Sequence, residues 1–273
     1  MAMDQGFLEE EDDSKMSFLD HLEILRWHLV RIFISIILFA TLAFIFKNIV
    51  FDVIVLAPKE KDFITYRLFC KLSHFIGLGD KLCFEDIGFQ LVNLSMSGQF
   101  SMHIMVSFVA GIVVSFPYIL FEIWRFIKPG LKKSERSYAR GLVFWGSLLF
   151  ISGIAFGYFV IAPLSVNFLG GYQVSAAVQN TISLGSFIST VTTITLSCGI
   201  LFQLPILIYF LARMGLVTSS MLKAYRKHSI IIVLILAAII TPPDITSQIL
   251  VAIPLVFLYE ISIWIARSVE KKQ

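Results

Sequence analysis

The sequence predicts an all-α, polytopic membrane protein with six transmembrane helices, the last two short, and both termini in the cytoplasm. Three observations carry that prediction. Of 273 residues, 57% are hydrophobic and only 15% charged, with a mean hydropathy of +0.84, whereas soluble domains carry about a quarter charged residues. Six stretches are free, or nearly free, of formal charge. Lys and Arg collect in alternate gaps between those stretches. The net charge of +3 is small, and its cations sit at membrane boundaries rather than on one face, so no nucleic-acid partner is expected.

The elements follow in chain order. Residues 1–16 are expected to form a disordered, acidic cytoplasmic tail, because a cleavable signal peptide would need a positive start there. One membrane domain is expected over 17–268, with a short cytoplasmic tail at 269–273. Four confident spans lie at 30–46 (continuing past Lys47 to 50), 100–121, 141–170 and 181–212, against the about 20 apolar residues that a membrane helix needs. A long extracytoplasmic loop occupies about 50–97. The stretches 229–243 and 245–259 are charge-free for fifteen residues each. Fifteen residues cover about 22 Å of helix, less than the roughly 30 Å hydrocarbon core. Thr241-Pro242-Pro243-Asp244 breaks the helix between them, so a hairpin of two thin spans is expected.

Orientation comes from the cations. Lys15, Arg26 and Arg31 precede or open the first span, and six cations lie in 122–140. Four more lie in 213–228, and Arg267, Lys271 and Lys272 lie at the C-terminus. On the other side, six cations in 47–99 are balanced by six acids, and 171–180 has none. Loops rich in Lys and Arg stay cytoplasmic.

Little in the chain points to catalysis. It lacks HExxH, CxxC, a Gly-rich phosphate loop and a nucleophile elbow, so no enzyme, cofactor or metal centre is expected. Met96-Ser97-Gly98 beside His103 is a weak peptidase signal. Cys198 reads as a packing residue. Cys70 and Cys83, thirteen positions apart in the long loop, are chemically allowed a disulfide if that loop is extracytoplasmic, but spacing does not show the geometry.

Three features are candidates for recognition or packing. Residues 18–29 form an amphipathic helix start in which Asp20 is placed to cap and Glu23 follows at capping-box spacing, beside an interfacial Arg26 and Trp27. Gln203, deep in a charge-free span beside Pro205, either satisfies a carbonyl freed by the proline or pairs with a partner helix. Gly146, Gly153 and Gly157 let helices approach closely, first of all within the bundle. Between them, the basic loop at 126–140 holds Lys128, Lys132, Lys133, Arg136 and Arg140 around one acid, Glu135. That acid either neutralises its neighbours or receives a cationic ligand.

Together these segments resemble the TatC family, the multi-spanning receptor subunit of the twin-arginine protein translocase. The resemblance runs from about Phe18 to Arg267. It rests on His21-Leu22-Glu23-Ile24-Leu25-Arg26, Ala57-Pro58, Ser115-Phe116-Pro117 and Trp124-Arg125-Phe126-Ile127-Lys128-Pro129-Gly130-Leu131. Further matches are Ser134-Glu135-Arg136, Phe202-Gln203-Leu204-Pro205, Thr241-Pro242-Pro243-Asp244 with Gln248, and Ala252-Ile253-Pro254 with Tyr259-Glu260. The resemblance implies a cupped, glove-like bundle in a bacterial inner membrane. It implies signal-peptide binding by Glu135, Glu23 and Phe126, with Arg26, Arg136 and Lys133 beside them. It implies contacts with single-span TatA/TatB-type subunits near Gln203, Pro205, Asp244 and Gln248. It also implies folded cargo carrying twin-arginine signals, self-association in a larger complex and drive by the proton motive force. The chain departs from the family pattern at Ile24, where the family usually has its acid; here the acid is Glu23, about 100° round the helix. The alternatives are a secondary transporter of a small solute, which should show internal repeats and midplane ionisable groups, and a structural assembly factor.

Overall fold

The computed structural model describes residues 18–60, 62–77, 79, 83, 89–127, 139–173, 175, 180–241 and 245–271; at 18–21, 72, 139, 140, 245 and 246 it describes the backbone alone. The predicted tail at 1–16 and the residues Lys133, Glu135, Arg136 and Asp244 lie outside the described residues.

Apolar stretches dictate long helices because lipid leaves every backbone N–H and C=O to be satisfied within its own segment. The first, α1 (Phe18–Ile45), passes into a π-helical turn at Ile49–Val55. Asp20 lies inside the first helical turn rather than capping it, since the helix already starts at Phe18. After α2 (Ile64–Phe75) and the short strand β1 (Gln90–Val92) comes α3 (Gly98–Ile127). The third long stretch is α4 (Ala139–Phe156), a π-helical turn at Gly157–Ile161, and α5 (Ala162–Gly171). Strand β2 (Thr181–Ser183) pairs in parallel with β1, Leu91 opposite Ile182. The fourth stretch is two helices, α6 (Leu184–Leu201) and α7 (Leu204–Arg213), broken where Pro205 can only open a new helix. Then follow α8 (Ser219–Ala224), α9 (Arg226–Ile240) and α10 (Ile245–Glu270).

Among the described residues, five helical stretches are long and apolar enough to cross a membrane: 22–45, 98–127, 141–171, 184–213 and 247–270. The fifth predicted span, 229–243, corresponds to α9, which has 15 residues. The final helix is not short. It runs for 26 residues, past Tyr259 and through Glu260. Glu260, the first charge after that stretch, is neutralised within the helix: Arg226 Nε lies 2.7 Å from Glu260 Oε1 and its Nη2 donates to Oε2 at 2.8 Å. Nor does a free tail begin at 269. Val269 is buried, and Glu270 accepts from the backbone and hydroxyl of Ser219, closing α8 onto α10.

In lipid the bundle is held by close packing rather than by water exclusion. A Cβ at Gly111 of α3 would lie 2.7 Å from the Ile36 carbonyl oxygen, so α1 and α3 touch backbone to backbone. A Cβ at Gly153 would lie 2.7 Å from the Cys198 carbonyl, and Gly157 rests on the Cys198 side chain. Gly153 and Gly157 therefore serve packing against α6, while Gly146 lies against Leu120 of α3 and Ile206 of α7. At the loop end, Tyr66 is buried and its hydroxyl donates to the Pro58 carbonyl at 2.8 Å, 3.1 Å from the Pro163 carbonyl. Burial raises the Tyr66 phenol pKa, so it stays protonated and donating. A disulfide joins Cys70 to Cys83 across a Cα–Cα distance of 4.3 Å.

Candidate functional site

The basic end of the bundle holds the most concentrated polar chemistry among the described residues. It is built by α1 and α3, which the contact at Gly111 locks side by side. On α3, Tyr118, Glu122 and Arg125 lie three or four positions apart, hence on one face. On α1, His28 and Arg31 face them. Glu122 is 1% exposed, and its side chain takes contacts from every side. His28 Nδ1 hydrogen-bonds one carboxylate oxygen, and the Tyr118 hydroxyl donates to the other at 2.9 Å. Arg31 Nη1 stands 3.8 Å and Arg125 Nη1 3.9 Å from the same carboxyl group. A buried carboxylate is tolerated only when it is so paired. The His28 ring in turn meets Phe126 edge-on at 5.9 Å between centroids. This cluster has no nucleophile beside a base. It is a clamp that fixes the end of α3, and with it Phe126, against the start of α1.

The expected receptor residues distribute unevenly around this clamp. Phe126 is part of it. Arg26 is exposed, its guanidinium 5.7 Å from the Trp27 ring. Glu23 is also exposed. Ile24, not Glu23, is four residues before His28 and so shares its face toward α3.

The predicted partner contacts separate in the same way. Gln203 Nε2 donates to the Gly146 carbonyl at 3.1 Å, so the amide reaches across the bundle to α4; its Oε1 is buried without a hydrogen-bond partner. Pro205 is buried at the start of α7. Gln248 Nε2 donates to the Leu234 carbonyl at 3.3 Å, tying α10 to α9. His103, weighed as a base for Ser97, lies against Phe44, with Nε2 3.1 Å from the Phe44 carbonyl. Cys70, His74 and Cys83 place their ligand atoms within 4.8 Å of one another, but two of the three donors are consumed by the disulfide.

A family model described as Sec-independent protein translocase protein (TatC) matches residues 20–254. The chain belongs to the TatC family. A TatC of Blattabacterium sp. subsp. Periplaneta americana (strain BPLAN) is 40% identical over 265 residues, covering 97% of this chain and all of that protein. One from Helicobacter pylori (strain J99) is 44% identical over 179 residues, covering 66% of this chain and 72% of its own. A crystal structure of the twin-arginine translocase receptor TatC superposes with a TM-score of 0.70 at 31% identity, covering 92% of this chain and 99% of that one. The chain is therefore a multi-pass, TatC-type component of a Sec-independent protein translocase.

Within this TatC-family chain, Glu122 is the residue that sequence reading missed. The signal was available: it is the lone acid of the stretch 98–127, four residues after Tyr118 and three before Arg125. Its decisive partner, His28, is 94 positions away, which no local pattern reveals.

Proposed function

We propose that this chain is the receptor and core of a translocase that exports folded proteins carrying twin-arginine signal peptides. The observation that carries this reading is the clamp at Glu122. It holds the two segments that the family resemblance assigns to recognition, the start of α1 and the chain leaving α3 at Phe126, rigidly side by side. A signal with two adjacent guanidinium groups wants carboxylates that accept bidentate hydrogen bonds. Glu135 and Glu23 supply two acids, while Arg26, Lys133 and Arg136 repel cations that are not correctly placed. Cytoplasmic termini put this face where cargo folds, in a bacterial inner membrane crossed six times. TatA/TatB-type single spans meet the chain near Gln203, Pro205, Asp244 and Gln248, where the unpartnered Gln203 oxygen awaits a donor. The proton motive force supplies the energy; no role as an enzyme is assigned. In this reading Glu135→Lys abolishes photocrosslinking of an arginine-pair signal peptide, and Glu23→Gln weakens it less. Unchanged crosslinking by Glu135→Lys would sink the assignment.

A further inference from the structure

Away from the clamp, α4, α7 and α10 line an open groove of about 470 Å³. Its shaft is apolar, formed by Leu142, Leu149, Pro205 and Ile206. Trp145 and Trp264 stand at its sides, 59% and 70% exposed, and such rings are common beside lipid headgroups. Arg213 is the charged residue in the lining. It is held rather than free to swing: its Nε donates to the Tyr209 hydroxyl at 3.3 Å and its guanidinium carbon lies 5.7 Å from the Tyr209 ring.

We propose that this groove binds one anionic phospholipid, its phosphate on Arg213 and one acyl chain along the apolar shaft. The chemistry matches at both ends. A guanidinium recognises phosphate oxygens through paired hydrogen bonds, and basic pockets between membrane helices collect anionic headgroups. Charge decides the occupant: a phospholipid brings a phosphate to Arg213 and acyl carbons to the apolar shaft, a pairing that an apolar partner helix lacks. Only the choice of leaflet rests on the orientation proposed above.

The test is native mass spectrometry of the full chain in detergent, offered equal amounts of phosphatidylglycerol and phosphatidylcholine. The expected result is at least a tenfold preference for phosphatidylglycerol. Arg213→Gln removes the preference. Gly141→Trp reduces retention of both lipids, because a Cβ at Gly141 meets nothing within 4 Å and a ring there enters the groove without displacing the bundle. Gly141→Trp leaves the Arg213 contacts intact, so it decides the matter if Arg213→Gln does not fold. Equal retention of the two lipids by the unaltered chain overturns the proposal, as does an undiminished preference in Arg213→Gln or full retention in Gly141→Trp. A photocrosslinker at Leu149 that captures a single-span subunit in place of lipid overturns it in favour of a helix site. None of these readouts depends on Glu135, so failure of the receptor reading leaves them interpretable.

Discussion

Glu122 and His28 show how one pair of residues can organise a recognition face without touching the ligand. Removing one partner of a buried pair leaves an uncompensated charge and costs about 3–5 kcal/mol. Because Tyr118, Arg31 and Arg125 still face Glu122, His28→Ala is expected to destabilise the chain by up to that amount, measured by denaturant unfolding in detergent. Replacing both, as His28→Leu with Glu122→Leu, is expected to recover most of the loss, since an apolar pair of similar volume needs no partners. An equal loss in the double variant would show that packing, not charge, is at stake. Ile24 adds a second lesson. The acid that the family resemblance expects on the α3-facing side of α1 is absent there, and a carboxylate reaches that seam from α3 instead, fully occupied by His28 and Tyr118. In the reading proposed above, recognition of the cationic signal is thereby left to Glu23 and Glu135.

Helix contacts in this bundle depend on where side chains are missing. Gly111→Val sets a Cβ 2.7 Å from the Ile36 carbonyl oxygen, a backbone atom that cannot rotate away. We expect a loss of about 1–3 kcal/mol and, in the same variant, weaker signal-peptide crosslinking, because parting α1 from α3 loosens the clamp. Gly141→Ala, which meets open space, is the control and should leave the melting temperature unchanged. The break between α6 and α7 shows the opposite device. Pro205 ends one helix and opens the next, and Gln203, at the break, ties the joint to the Gly146 carbonyl. In the loop, the Cys70–Cys83 bond closes 13 residues. Loops of that size restrict the unfolded chain by about 3 kcal/mol. Cys70→Ser should lower stability by an amount of that order, and in the unaltered, unfolded chain neither Cys70 nor Cys83 should take a thiol label until reductant is added. Labelling before reduction would count against the bond.

For the whole molecule, the charge pattern makes the strongest statement. Sixteen of the 22 cations fall in the N-terminal segment, 122–140, 213–228 and the C-terminal segment, and the described members of these segments gather at one end of the bundle through His28–Glu122, Arg226–Glu260 and Ser219–Glu270. A cysteine placed at residue 5 should therefore react with an impermeant thiol reagent only in inverted vesicles, and one at residue 175 only in intact cells lacking an outer barrier. The reverse pattern would refute the orientation. A strain lacking the chain should fail to export a folded reporter carrying an arginine-pair signal, while Sec-type export continues.

What was legible in the sequence follows from chemistry that acts locally. Apolar length and the proline at 205 each depend on a residue and its near neighbours, so the long helices and the break between α6 and α7 could be read directly. The end of α10 misled because Glu260 looks like a stop until Arg226, 34 positions earlier, is placed beside it. Glu122 escaped notice for the same reason. By itself the sequence determined a chain of long apolar helices with its cations collected in alternate gaps between them. Only the tertiary structure decided which charges could lie inside, because a buried charge is stable only beside partners, and packing brings those partners from distant parts of the chain.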